Sequence, residues 1–178
     1  DEIQLSVSST DAFCNSSSGL ANVSLTNGGV NPVSYLWTPS SITSSTAANL
    51  VPGSYGISVV DANGCSANST VVIGNIPPGT ASISNLTNSL CTGSCDGTAS
   101  VSMSGTANGP FTYDWFTNSG TSLGQDSVTA INLCAGFYYC VVSDVNGCIS
   151  FTNQFEIADP PSLSISVSSD SLTCFSSC

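Results

Sequence analysis

The chain has 178 residues, 11 Asp plus Glu, no Lys, Arg or His, a net charge of -11 and a pI near 4.1. Without a cation it cannot displace counterions from nucleic-acid phosphates, supply a Walker or Schiff-base lysine or an arginine clamp, activate a Ser or Cys nucleophile through imidazole, or grip anionic lipid with a basic patch. Side-chain ion pairs and His-containing zinc sites are excluded with them. Hydrophobic residues at 40% are enough to build a core, and the 36 Ser and 17 Thr supply most of the polar surface. Nine cysteines without metal-ligand spacing point to disulfides in an oxidising compartment. No apolar run reaches the roughly 18 residues of a membrane-spanning helix, so direct membrane insertion is not expected.

In chain order, period-two alternation predicts strands at Leu5/Val7, Ala21/Val23/Leu25, Val33/Tyr35/Trp37 and Tyr55/Ile57/Val59. Turns at Asn27-Gly28-Gly29 and Asn63-Gly64 separate them, and Ile76-Pro77-Pro78 closes the first series. The pattern then restarts at Ala99/Val101/Met103, Phe111/Tyr113/Trp115 and Tyr138/Cys140/Val142, with a turn at Asn146-Gly147 and paired prolines at Asp159-Pro160-Pro161. The restart is an internal repeat. NPVSYLW at 31–37 matches GPFTYDW at 109–115, and NLVPGSYGISVVDANGC at 49–65 matches NLCAGFYYCVVSDVNGC at 132–148. LSISVSSDSLTC at 163–174 matches IQLSVSSTDAFC at 3–14. Paired prolines stiffen a connection and cannot continue a ladder, so the units divide as 1–76, 77–160 and the opening of a third at 161–178. The chain reads as a segment cut from a longer array.

The expected fold is all-β, a tandem array of Ig-like or fibronectin-III-like sandwiches, extended and stapled by disulfides. Each unit is expected to carry strands A, B, C, E, F and G, with a short or variable strand between C and E. Trp37 and Trp115 on strand C read as core rather than as sugar-stacking platforms, because the aromatics alternate inward. Tyr55 and Tyr138 join them as core residues in tyrosine corners.

Cys14 and Cys91 precede strand B, and Cys65 and Cys148 follow the F–G turn. Antiparallel topology puts these two positions at opposite ends of a unit, too far apart for one bond across strands of about 20 Å. A bond between units, Cys14–Cys148, is therefore favoured over Cys14–Cys65. Cys91 would pair with the next unit and Cys65 with the previous one. Cys95–Cys134 is favoured over the immunoglobulin-like alternative Cys95–Cys140. Cys140 takes the place of Ile57 and reads as a buried free thiol. Cys174 and Cys178 repeat the spacing of Cys91 and Cys95 and are expected to have partners beyond the chain.

Three linked motifs recur at these positions. They are Gly28–Trp37 with Leu50–Tyr55 and Val59–Cys65, and Gly105–Trp115 with Leu133–Tyr138 and Val141–Cys148. In them the chain resembles the SprB repeat of Bacteroidota surface proteins. The second copy departs by three extra cysteines. The resemblance implies a long extracellular cell-surface adhesin, exported by the type IX system and in some cases moved by the gliding machinery. Its partners would be neighbouring repeats of the same chain and, through other regions, the gliding or secretion machinery and an external surface or polysaccharide. It also gives meaning to Asp126-Ser127-Val128 and Asp170-Ser171-Leu172, which fit the Bacteroidota O-glycosylation pattern at Ser127 and Ser171. In a bacterial protein the sequons at Asn15, Asn22, Asn68 and Asn85 are read as unused.

Asp61-Ala62-Asn63-Gly64 and Asp144-Val145-Asn146-Gly147 lack the further ligands of a calcium loop and read as capped turns. No cofactor is expected beyond weak divalent binding by the acidic surface. No catalytic constellation is present, so no enzyme activity is expected. The function expected is that of a stalk segment bearing load and projecting a distal adhesive region. The alternatives are a lectin-like glycan-binding repeat or an accessory domain of a secreted carbohydrate-active enzyme.

Overall fold

The computed structural model describes residues 2–31 and 33–168. Cys174, Cys178 and Ser171 lie outside the described residues.

Unit 1 places β1 (Gln4–Thr10), β3 (Gly19–Asn27) and β5 (Thr46–Leu50) in one antiparallel sheet of order β1-β3-β5. The facing sheet, β4-β6-β7, is built from β4 (Ser34–Thr38), β6 (Gly53–Val60) and β7 (Ser66–Ile73). Unit 2 repeats this with β9 (Thr80–Thr87), β10 (Gly97–Ser104) and β12 (Thr129–Leu133) facing β11 (Thr112–Thr117), β13 (Gly136–Ser143), β14 (Ile149–Phe151) and β15 (Phe155–Ile157). In each unit strands A, B and E therefore face C, F and G. This is the order of an immunoglobulin-type sandwich without strand D.

The short strand expected between C and E is absent among the described residues. Only residues 39–45 connect β4 to β5, and they double back at once, with Trp37 N donating to the Ile42 carbonyl at 2.8 Å and Ser41 N to the Trp37 carbonyl at 2.7 Å. In unit 2 the longer connection makes a single bridge, Phe116 to Ser122.

The inward residues of the alternating runs form two separate cores. Trp37 and Trp115 are fully buried, and each indole N–H donates at 2.9 Å to the carbonyl two residues ahead of strand E, Ser44 and Ser127 respectively. The insertion of unit 2 thus returns to the same anchor. Tyr55 and Tyr138 are buried, and each hydroxyl donates at 2.9 Å to a carbonyl four residues upstream, Val51 and Cys134. That is the tyrosine-corner bond. Gly19 and Gly97 let the two sheets close at one end. A Cβ at either would strike the Ile73 or Ile157 side chain and the Leu50 or Leu133 carbonyl.

The last strand differs between copies. β7 is continuous, whereas its counterpart breaks into β14 and β15 around Thr152. The buried Thr152 hydroxyl accepts from Cys140 N at 2.9 Å, and Thr152 N donates to the Cys140 carbonyl at 3.0 Å. A side chain enters the ladder there and displaces a backbone partner.

Candidate functional site

The feature with most chemistry is the joint between the units. In unit 1 the chain leaves β1 through β2 (Ala12–Phe13), which pairs in parallel with β8 (Asn75–Ile76) at the exit of the unit. The Asp11 carboxylate accepts from Gly74 N at 2.7 Å, Cys14 N donates to the Ile76 carbonyl at 2.8 Å, and Asn15 N donates to Asn75 Oδ1 at 2.7 Å. The loop carrying Cys14 is thereby fastened to the start of the linker. Cys14 itself has φ 53°, the left-handed region, so its placement costs backbone strain that the clamp holds.

The receiving side is the F–G turn of unit 2. Asp144 Oδ1 accepts from Asn146 N at 2.8 Å and from Cys148 N at 2.9 Å, while Asp144 N donates to the Cys148 carbonyl at 3.0 Å. Cys14 and Cys148 are disulfide-bonded across the joint, with Cα atoms 5.7 Å apart. Cys148 is buried there. The linker is also packed. Thr106 Oγ1 donates to the Pro77 carbonyl and Ser150 Oγ to the Gly79 carbonyl, both at 2.7 Å, and a Cβ at Gly79 would collide with Ala107 and the Ser104 carbonyl.

The second disulfide is Cys95–Cys134, within unit 2. It ties the loop after β9 to the turn between β12 and β13. Cys140 is a buried free thiol at the fully enclosed inward position of β13. Burial pushes it up to about 12, with the nearby Asp114 charge adding to the rise and a backbone hydrogen bond opposing it. Cys65 and Cys91 are exposed, and neither is bonded among the described residues.

The two Asp-x-Asn-Gly segments are turns. Asp61 Oδ1 accepts from Asn63 N and Cys65 N at 2.9 Å, and its Oδ2 accepts from Val30 N at 3.1 Å. Burial pushes the Asp61 carboxyl up. Backbone N–H groups of Val30, Cys65, Asn63 and Gly64 outweigh that and hold it below the usual value. Its oxygens are occupied by the backbone. Among the described residues no group of three His, Cys, Asp or Glu side chains is placed to hold a metal ion.

Ser127 lies exposed in the connection between β11 and β12. Asn15, Asn68 and Asn85 are exposed and Asn22 is half-buried.

One expectation is corrected. The aromatics do not all turn inward. Phe116 and Tyr139 point away from the core of unit 2 and stack with ring centroids 5.3 Å apart and 11° between planes. Phe137 and Phe151 on the same sheet are 49% and 63% exposed. The run Phe137-Tyr138-Tyr139-Cys140 is apolar on both faces, so alternation shows that one face is buried and says nothing against an apolar outer one. Unit 1 carries Thr38, Ser54 and Gly56 at the positions of Phe116, Phe137 and Tyr139.

Sequence reasoning missed the clamps. Asp11 and Asn88 each stand three residues ahead of a joint cysteine, and a polar residue fixed at that offset in both copies was the available signal.

No protein-family model matches this chain, and no curated protein matches it. Solved structures with similar folds include a mouse coronavirus receptor-binding domain complexed with its murine receptor (12% identity, 88% of this chain and 100% of that one, TM-score 0.40). Others are the amphioxus IgVJ-C2 molecule (12% identity, 88% and 98%, TM-score 0.34) and a two fibronectin type-III domain segment from chicken tenascin (14% identity, 88% and 97%, TM-score 0.31). The sheets and cores described above define the class by themselves. This is a disulfide-stapled tandem of immunoglobulin-like β-sandwiches.

Proposed function

We propose that the chain is a load-bearing stalk segment of an extracellular cell-surface adhesin, a repeat of the SprB type exported by the type IX route and, in gliding cells, moved by the motility machinery. The observation that carries this reading is the Cys14–Cys148 bond, which joins two folded units rather than stabilising either one. Two disulfides support an oxidising setting. The absence of Lys and Arg removes every trypsin-type cleavage site from an exposed filament. Partner binding then belongs to other regions of the full protein, and Ser127, exposed between strands C and E, is the position offered for O-glycosylation.

The test is adhesion under flow by cells carrying the full protein with Cys14→Ser and Cys148→Ser. Attachment at rest is expected to persist while the shear that detaches the cells falls. Unchanged shear resistance refutes the reading.

A second reading, glycan binding by unit 2, is favoured by the outward Phe116–Tyr139 stack beside the Asp114 carboxylate, which accepts from Ser122 Oγ at 2.8 Å. Binding of the two-unit protein to a glycan array, abolished by Phe116→Ser with Tyr139→Ser, would establish it. Absence of binding leaves the stalk reading alone.

A further inference from the structure

The joint has two halves, and the chain carries one spare copy of each. The cysteine-bearing loop that closes the joint in unit 1 recurs in unit 2 with equivalent attachments around it, although Cys91 N donates to Ser94 Oγ at 3.3 Å where Cys14 N donates to the Ile76 carbonyl. Ala12 N donates to the Gly74 carbonyl and Ser89 N to the Ala158 carbonyl. The Asp11 carboxylate receives Gly74 N, and the Asn88 carboxamide receives Ala158 N at 3.0 Å. Asn75 Oδ1 receives the loop N–H of Asn15, and Asp159 Oδ2 receives that of Gly93 at 3.1 Å. Thr92 Oγ1 adds a bond to the Pro160 carbonyl at 3.3 Å. Cys91 is therefore displayed beside the second proline pair as Cys14 is beside the first, and it is exposed and unbonded among the described residues.

The receiving half recurs in unit 1. Cys65 N donates to Asp61 Oδ1 at 2.9 Å and Asp61 N to the Cys65 carbonyl at 3.0 Å, the same pair of bonds that holds Cys148. Gly64 and Gly147 take matching left-handed φ values of 82° and 77°. The turn that bears Cys65 is shaped for a bond it does not make here.

We propose that Cys91 and Cys65 are the open ends of a repeating covalent joint. Cys91 bonds the cysteine of an Asp-x-Asn-Gly-Cys turn in the unit that follows residue 161, and Cys65 bonds the loop cysteine of a unit that precedes. This rests on the stalk reading and deepens it by naming the partner, another copy of the same unit. Cys95–Cys134 gains a role from it. That bond fixes the loop bearing Cys91 to the turn before β13, and the single Ser94 hydroxyl proton is shared between the Cys91 carbonyl at 2.8 Å and Asp96 Oδ1 at 2.6 Å inside the loop. The loop is held rigid before its partner arrives. Closure joins two thiols into one disulfide. The two electrons and two protons go to an oxidised dithiol protein or a small-molecule disulfide, which leaves as two thiols.

The experiment is a disulfide map of the full native protein, digested without reduction by an Asp-directed protease and read by mass spectrometry. The expected result is a Cys91 peptide linked to a peptide containing Asn-Gly-Cys from another unit, with complete loss of the free Cys91 signal. Cys91 recovered as a free thiol, or bonded to Cys174 or Cys178, overturns the proposal. The Cys14–Cys148 pair in the same map separates the two readings. Its absence sinks the stalk reading, whereas its presence with Cys91 elsewhere sinks only this one.

A second measurement uses the 178-residue chain with Cys174→Ser and Cys178→Ser. Cys65→Ser and Cys91→Ser versions are mixed in oxidised glutathione. The complementary halves predict a Cys91–Cys65 heterodimer in excess of its statistical share over the two symmetric dimers. A statistical mixture, or a predominance of symmetric dimers, overturns the proposal.

Discussion

Breaking the Cys14–Cys148 bond is expected to change how far the chain extends under load. The two cysteines are 134 positions apart in a chain of 178, so with the bond closed only 43 residue steps lie in the path of tension. Force enters along β1, crosses the bond, and leaves along β14 and β15. Both tryptophans and most of both cores lie behind the bond, whereas Ala12 of the first core and Ile157 of the second lie outside it. At roughly 3.4 Å per extended residue, the stapled chain reaches a contour of about 150 Å and the fully reduced chain about 600 Å. Cys14→Ser gives a distinct value, because Cys95–Cys134 still hides a separation of 39. Its contour exceeds that of the stapled chain by about 320 Å, against about 450 Å after reduction. Single-molecule stretching of the chain tethered at its two ends, with and without reductant, reads these increments directly. Equal contours for the wild-type chain and Cys14→Ser under oxidising conditions would falsify the load path. So would two complete domain-unfolding steps from the oxidised wild type.

The other predictions concern the units themselves. Trp115→Ala removes a fully buried indole and its bond to Ser127, so unit 2 is expected to lose about 3–5 kcal/mol in denaturant melts. Cys95→Ser with Cys134→Ser opens a loop of separation 39 and should lower the stability of unit 2 by about 2–4 kcal/mol, read as a lower thermal midpoint without reductant. Thiol reagents at neutral pH should label Cys65 and Cys91 in the folded chain and reach Cys140 only after denaturation, since Cys140 is enclosed and pushed up to about 12. Asp61 has a folded pKa below its unfolded one, so its contribution to stability is fully present above the unfolded value. That contribution is lost as the pH falls through the folded value. Denaturant midpoints measured from neutrality downward should therefore hold until the pH passes below about 4 and then fall, with Asp61→Asn showing a shallower fall.

Much of the sandwich was legible because each strand with one buried face carries its own period. Tyr55, Ile57 and Val59 alternate with small polar residues, and all three are core. The joint was legible from a different argument, the placement of Cys14 and Cys148 at facing ends of successive units. What escaped detection had no periodic signature. The break in the last strand depends on Thr152, a polar residue buried because its hydroxyl replaces a ladder acceptor, and a Thr among Ser and Thr residues gives no sign of that. The outward aromatics were hidden by a run apolar on both faces. The Gln125 side chain pairs in both directions with the Ile131 backbone at 2.9 Å, a side chain acting as an edge partner to β12, and sequence separation alone does not announce it.

The two copies can also be compared with each other, and the comparison bears on function. Their ends are alike. The clamp residues Asp11 and Asn88, the turn residues Asp61 and Asp144, the glycines that close the sheets and the tyrosine corners occupy equivalent places and make equivalent bonds. Their outer faces are not alike. Where unit 2 shows Phe116, Phe137 and Tyr139, unit 1 shows Thr38, Ser54 and Gly56, and the connection that carries Ser127 is longer in unit 2. A repeat whose task was to grip a ligand would keep one face and let its ends drift, because affinity resides in a small cluster of anchoring side chains. A repeat whose task is to be joined must keep its ends, because a disulfide tolerates only a narrow range of Cα separations and directions. The invariant part of this chain is the joint and the core that holds it in place. A face that differs from one copy to the next is then free to acquire binding in a single unit without disturbing the covalent path through the others.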